Sequence, residues 1–248
     1  MNKTLISSRF NKSFITYDKQ AVIQFKTAQK MIFELKKQNR EFATIFEIGA
    51  GTGILTGLIY NELKPEYLYV NDICENSKVV IESRFAVTKF IQGDIESAEV
   101  PGQCSLIISN AVFQWLDDLP KLFEKLSNSL TNDGIFAFST FGVRNYNEVR
   151  YFGYGLDSYI EIAVMTEYLQ PFFDVISISE SIETMWFNSS GDVFKHISAT
   201  GVNGISQPVS FAAMKAMLKE YEKKFSLNEK IPLTYHPQIF IVRKKKCP

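Results

Sequence analysis

The chain is poor in the residues that build special-purpose folds. Its 248 residues include three cysteines, Cys74, Cys104 and Cys247, an odd number, far apart and without a C-x-x-C pair. A disulfide framework is therefore not expected, and reduced thiols are. Two histidines, His196 and His236, are the only imidazoles, so neither zinc nor another metal is expected. No run approaches the ~18 consecutive apolar residues of a membrane helix, and the opening MNKTLISSRF has no apolar stretch of the secretory kind. A cytoplasmic protein that does not enter a membrane is the expectation. Internal repeats, low-complexity tracts and long linkers are missing too. What is present, 46% hydrophobic and 22% charged residues with a mean hydropathy of −0.05, describes a globular chain with ample material for a core.

Net charge is also lacking, with 27 Lys and Arg against 27 Asp and Glu. The zero hides a pattern: residues 1–40 hold nine basic and two acidic residues, residues 215–248 nine and three, and residues 41–214 nine and twenty-two. Both ends are basic and the middle is acidic.

Apolar periodicity supplies the architecture. Val22, Phe25, Ala28, Ile32 and Leu35 recur every three or four positions and predict a helix over 20–37. Five short apolar runs follow at 43–49, 67–73, 88–94, 104–110 and 134–141, separated by helix-length segments. This rhythm predicts parallel strands joined by helical crossovers, an α/β fold. Beyond Phe141 the pattern predicts a loop and helix over 142–170, one strand over 172–187 and a short helix over 191–200. It then predicts an amphipathic helix over 211–225 with Ser210 as N-cap, and a last strand over 238–246. One domain over 1–248 is expected, with residues 1–40 as a lid and helix and residues 142–235 as substrate-side insertions.

The chemistry concentrates at strand ends. Glu47-Ile-Gly49-Ala50-Gly51-Thr-Gly53 follows the first strand and precedes a helical pattern, a turn at which backbone comes close to a ligand facing a helix N-terminus. A dinucleotide fingerprint would need Gly or Ala at position 54, where Ile54 stands. An NAD-dependent oxidoreductase is thereby disfavoured. Asp72 ends the second strand, followed by Ile73, and is placed to accept from two ribose hydroxyls. Asp94 and Ile95 follow the third strand, where a carboxylate can accept from an adenine amino group and an aliphatic side chain can cover the ring. Ser109 and Asn110 end the fourth strand, at the edge where ligands of open α/β sheets sit. Each signal alone has a plain structural reading as turn, cap or core.

Their order and spacing resemble class I S-adenosylmethionine-dependent methyltransferases over roughly residues 40–142 and the final strand. The resemblance implies a Rossmann-like seven-stranded sheet with helices on both faces and an antiparallel last strand. It implies S-adenosylmethionine as cofactor, its amino-acid part by Gly49 and Gly51, its ribose on Asp72 and its adenine on Asp94 and Ile95. Glu47, Ala50, Ile73 and Asn110 complete the cofactor candidates, and Tyr17 is a candidate from a lid.

Further pieces resemble a narrower family, the malonyl-[acyl-carrier-protein] O-methyltransferases that open the pimeloyl branch of biotin synthesis. They are RFNKSFITYD (9–18), SNAVFQWL (109–116), FSTFG (138–142) with NEVR (147–150), DVFKHISATGVNG (192–204) and LTYHP (233–237). Departures occur at Ser189-Ser190-Gly191, where a Ser-Pro is expected, and at Phe194, where Leu is. The resemblance implies methyl-ester formation on the free carboxylate of a malonyl thioester. Such an acceptor is already ionised near neutral pH, since carboxyls titrate near ~4, so alignment and exclusion of water replace a general base. No catalytic base is expected. Arg144 and Arg150, just past the fifth strand, are candidates to hold the carboxylate, Arg144 the better. Lys195, His196, Tyr235 and Trp115 are further substrate candidates, against structural readings in which they pack or pair.

Acyl carrier proteins are acidic, so the two basic ends fit one as partner; coenzyme A, with the same pantetheine arm, stays open as the malonyl carrier. Nucleic acid is not expected. The competing readings are another small-molecule methyltransferase of this fold, acting on an acid or a quinone precursor, and a non-catalytic cofactor-binding module.

Overall fold

The computed structural model describes residues 2–156, 158–201 and 211–246. Val202 to Gly204 of the 192–204 stretch, the expected cap Ser210, and Cys247 lie outside them. The described elements are, in order, α1 (Lys3–Gln20), α2 (Val22–Lys36), β1 (Thr44–Ile48), α3 (Ile54–Leu58), β2 (Tyr67–Asp72), α4 (Glu75–Arg84), β3 (Lys89–Gln92), β4 (Cys104–Asn110), α5 (Leu119–Ser129) and β5 (Leu130–Phe141). Then follow α6 (Asn147–Arg150), α7 (Ile162–Leu169), β6 (Phe173–Glu180), β7 (Glu183–Phe187), α8 (Ser190–Ala199), α9 (Phe211–Phe225), β8 (Ile231–Tyr235) and β9 (Pro237–Lys244). A π-helical turn, Ile59–Leu63, extends α3.

Seven strands form one sheet in the order β3-β2-β1-β4-β5-β9-β6. Pairing is parallel from β3 through β5, and β9 enters antiparallel between β5 and β6. The expected α/β sheet with its antiparallel last strand is thus present. β4 and β5 carry apolar runs at Leu106–Ile108 and Ile135–Phe138 because both faces of the sheet are covered. Side chains alternate between faces: Leu106, Ile108, Ile135 and Ala137 pack under α2 with Met31, Ile32 and Leu35. Ile107, Phe136 and Phe138 face the other way, onto Phe123 and Leu126 of α5 and Leu169 of α7. That second layer is aromatic, with Phe138 stacked on Phe136 at 4.8 Å and on Phe240 at 4.9 Å. Asp118 caps α5 by accepting from Lys121 N–H at 3.2 Å, and Pro120 sits in its first turn.

Two sequence expectations are corrected. The buried face of α2 is Ile23, Gln24, Thr27, Ala28, Met31, Ile32 and Leu35, while Val22 and Phe25 point to solvent; both strips recur at helical spacing, and the sheet selects one. The strand expected over 172–187 is two strands. The chain leaves the main sheet at Ser181, whose N–H bonds to Pro237 O at 3.1 Å, and β7 then pairs with β8 in a separate two-stranded sheet. Residues 3–20, within the segment expected as lid and helix, form an 18-residue helix. In the turn before α8, Ser189 replaces the expected Ser-Pro geometry with a side-chain cap, accepting from Asp192 N–H at 3.2 Å. No helix among the described residues is long and apolar enough to cross a membrane. Among them no group of three or more His, Cys, Asp or Glu is placed to hold a metal ion.

Candidate active site

The carboxyl ends of β1, β2, β3 and β4 open into one cleft of about 850 Å³, roofed by α1. Gly49, Gly51, Asp72, Ile73, Asp94, Ile95 and Asn110 line it, together with Tyr17 and Trp115. The glycine turn needs its glycines. Gly49 has φ +71°, and a Cβ there would run into Val112. Gly51 has φ +54°, and a Cβ there would project into open space, as it would at Gly93 on the same cleft. Backbone is therefore bare where a ligand would touch it.

Asp72 braces this turn. Its Oδ2 accepts from Gly51 N–H and its Oδ1 from Cys74 N–H, both at 2.7 Å. Asp72 itself is buried. Burial raises its pKa, and the two N–H groups oppose that rise. Each oxygen keeps a second lone pair for a ligand hydroxyl. Asp94 accepts from Glu96 N–H at 3.1 Å and lies 3.8 Å from Lys3 Nζ. Asn110 is fixed from both sides, donating to Gln24 O at 3.1 Å and accepting from Ser139 Oγ at 2.7 Å. Ala111, next to it, is held at φ +58° with its N–H on Ser139, a strained position on the cleft wall that the sequence did not signal.

The roof was partly missed by sequence reasoning. Lys3, Ile6, Phe10, Phe14 and Tyr17 form one stripe of α1 and face the cleft. Their three- and four-residue spacing was the available signal. Phe10 meets Trp115 edge to face at 5.7 Å. Lys3 fastens the helix start across the cleft mouth, at 2.5 Å from Glu96, 3.6 Å from Asp117 and 2.8 Å from Trp115 O. Burial works against ionisation of Glu96, but Lys3 and the Asp117 and Asp118 N–H groups win and hold its pKa low. Trp115 lines the cleft, and its indole N–H is buried without a hydrogen-bond partner.

The other sequence candidates are not in the cleft lining. Ala50 packs in the core under α2. Glu47 is fully buried behind the turn, and neither of its oxygens has a hydrogen-bond partner in range. Burial pushes its carboxyl up to about 8, opposed by the nearby Thr56 hydroxyl and reinforced by Asp72. His196 and Tyr235 are both buried and bonded to each other, His196 Nε2 to Tyr235 Oη at 2.6 Å, with Nδ1 on Gln20 Oε1 at 2.7 Å. Tyr235 also receives the Tyr146 hydroxyl at 3.2 Å. This chain of bonds ties α1, α8 and β8 together, and burial takes His196 down to about 4. Lys195 is exposed and pairs with Asp192 at 3.1 Å. Arg150 donates to Val143 O and lies over the Tyr159 ring at 5.6 Å. Arg144 is half-exposed just past β5, its backbone N–H on His236 Nδ1 at 3.2 Å and its guanidinium 3.9 Å from Glu180.

A Rossmann-like sheet with a bare glycine turn, an aspartate bracing it and a second aspartate one strand further defines the class. The methyltransferase domain family matches residues 46–138. Among solved structures, the fold is similar to YcgJ protein from Bacillus subtilis, with a TM-score of 0.61 and 15% identity over 89% of this chain and 100% of that one. It is also similar to the N-methyltransferase NodS from Bradyrhizobium japonicum in complex with S-adenosyl-L-homocysteine, with a TM-score of 0.53 and 13% identity over 87% and 84%. Closer in sequence are malonyl-[acyl-carrier protein] O-methyltransferases. That of Bacteroides thetaiotaomicron is 33% identical over 99% of this chain and 100% of its own, and that of Calditerrivibrio nitroreducens is 34% identical over 96% of each. The chain belongs to this malonyl-[acyl-carrier protein] O-methyltransferase family.

Proposed function

We propose that this protein transfers a methyl group from S-adenosylmethionine to the free carboxylate of malonyl-acyl carrier protein, giving the methyl ester that enters pimeloyl and biotin synthesis. The observation that carries the reading is the convergence of Gly51, Asp72 and Asp94 on one roofed cleft in a chain with full-length relatives of that name. The residues fit the cofactor: the empty space over Gly51 and Gly93 admits it, and Asp72 has acceptor capacity left for two hydroxyls. When bound, the cofactor supplies an electrophilic methyl on a sulfonium.

The chain's own part is to bind, align and exclude water. Gly49 and Gly51 receive the amino-acid end, Asp72 the ribose, and Asp94 with Ile95 and Ile73 the adenine, while Asn110 closes the inner wall. Tyr17 and Phe10 cover the site from α1. The cleft offers no weakly held proton among its thiol and phenol groups. Burial raises the Tyr17 phenol, with Asp18 and Asp72 adding to it, and pushes the Cys74 thiol up to about 12. Such a site favours an acceptor that arrives ionised, which a malonyl carboxylate does. Trp115, with Phe10 against it, walls the substrate side of the cleft. Arg144, held at the guanidinium by one long ion pair, is the cation that meets the carboxylate; Arg150 is committed elsewhere. His196 and Tyr235 support the lid from behind. Residues 1–40 serve as the lid and 142–235 as substrate-side elements of one cytoplasmic methyltransferase domain.

Methylation removes a charge that apolar elongation sites would reject, which is the reason for the step. The test is intact mass of malonyl-carrier protein after incubation with the protein and S-adenosylmethionine, with acetyl-carrier protein as control. One methyl increment on the malonyl form alone is expected. No increment, with S-adenosylhomocysteine still bound, would move the acceptor to another small molecule.

A further inference from the structure

The sheet sorts the basic residues that crowd both ends of the sequence. At its amino edge they are engaged: Lys36 with Glu62 at 3.1 Å, Lys37 with Glu34 at 2.7 Å, and Arg40 on Asp133 O at 2.6 Å. Because β9 runs antiparallel, its basic end also lies at that edge, opposite the cleft, with Lys244 on Leu130 O at 2.9 Å and Lys246 at 3.8 Å from Asp133. At the carboxyl edge Lys3 is held by Glu96 at the cleft, but two lysines of α2 are not held. Lys26 and Lys30, one turn apart on a single row of α2, are exposed and have no ion pair among the described residues. They line a groove of about 340 Å³ whose far wall is Ser179 and Ser181 at the end of β6, with Glu183 its one carboxylate.

The surface around this groove is apolar where a monomer has no need of it. Val22, Phe25 and Ile182 are 42, 43 and 44% exposed, on α2 and between two groove residues. The first turns of α2 also adjoin the cofactor cleft, since Gln24 O accepts from Asn110 in its lining. Uncompensated lysines beside apolar side chains, next to the cleft and on one helix face, match an acidic protein surface with an apolar centre.

We propose that this face of α2, with the groove it forms against β6, is where the acidic carrier protein docks. The proposal rests on the carrier-protein reading of the function and adds the surface: the α2 lysines steer the partner, and the basic tail at the opposite edge takes no part. Lys26→Glu/Lys30→Glu raises KM for malonyl-carrier protein by about tenfold or more with little change in kcat, as rim charges act chiefly on encounter. Turnover of malonyl-pantetheine, which has no protein to dock, and affinity for S-adenosylhomocysteine stay unchanged. Lys26→Ala/Lys30→Ala, which adds no charge, shifts the same KM in the same direction by less, and Lys245→Glu/Lys246→Glu leaves it alone. A charge-reversed variant with the parent KM for carrier protein, or one that loses malonyl-pantetheine turnover equally, overturns the proposal. So does Lys219→Glu/Lys223→Glu on α9 producing the rise instead. If the parent protein methylates malonyl-pantetheine but not malonyl-carrier protein, the carrier reading itself fails and the docking surface with it.

Discussion

Asp72 Oδ2 and Gly51 N–H meet at 2.7 Å, so the carboxylate assigned to the ribose is also the brace of the glycine turn. In the proposed function, ligand recognition and loop shape therefore depend on one side chain.

Asp72→Ala removes the acceptor of two backbone N–H groups and the ligand carboxylate together. Charge-assisted bonds are worth about 1.5–3 kcal/mol each, so affinity for S-adenosylhomocysteine falls by at least about tenfold in calorimetry. The thermal midpoint falls too, because Gly51 and Cys74 N–H lose their partners. An unchanged affinity would remove Asp72 from the cofactor site.

Glu47 is buried, and its folded-state pKa is about 8. Its unfolded carboxyl ionises in the usual range near ~4.3, so between those values the folded state binds more protons and stability falls as pH rises. Glu47→Gln has no proton to lose. Its denaturant midpoint relative to the parent should improve from pH 5 to pH 8.5, and parallel pH profiles would contradict the buried neutral carboxyl.

His196 acts in the opposite sense. Its folded pKa of about 4 lies below the free imidazole value, so its contribution to stability is present above ~6.5 and lost as pH falls toward 4. His196→Gln is less stable than the parent at pH 7.5, and the difference narrows at pH 4.5. KM for the malonyl substrate moves little, as expected of a residue bonded to Tyr235 rather than to substrate.

Arg144→Ala is expected to raise KM for the malonyl substrate far more than it weakens S-adenosylhomocysteine binding. Equal losses in both would return Arg144 to the fold or the cofactor.

Lys3→Ala frees the start of α1 from Glu96. Faster dissociation of S-adenosylhomocysteine in stopped flow, with a weaker salt dependence than the parent, is the expected result. An unaltered off-rate would mean that α1 does not gate the cleft.

The amino-acid sequence alone determined the parallel strands, the glycine turn and the strand-end positions of Asp72, Asp94 and Asn110. These are local properties: an unbroken apolar run marks a strand covered on both faces, and a residue that ends such a run stands at the sheet edge wherever the rest of the chain goes. Tertiary structure decided what depends on residues distant in sequence. Gln20 and His196, 176 positions apart, join α1 to α8, so a histidine that suits a substrate site by type is spent on holding two helices together. The choice between two helical strips on α2, the break of 173–187 into two sheets, and the placing of Arg144 outside the cleft lining have the same origin. So does the contrast on α2 between Lys36 and Lys37, which are paired, and Lys26 and Lys30, which have no ion pair among the described residues. Burial and partner choice are properties of the packed chain, and no window of neighbouring residues contains them.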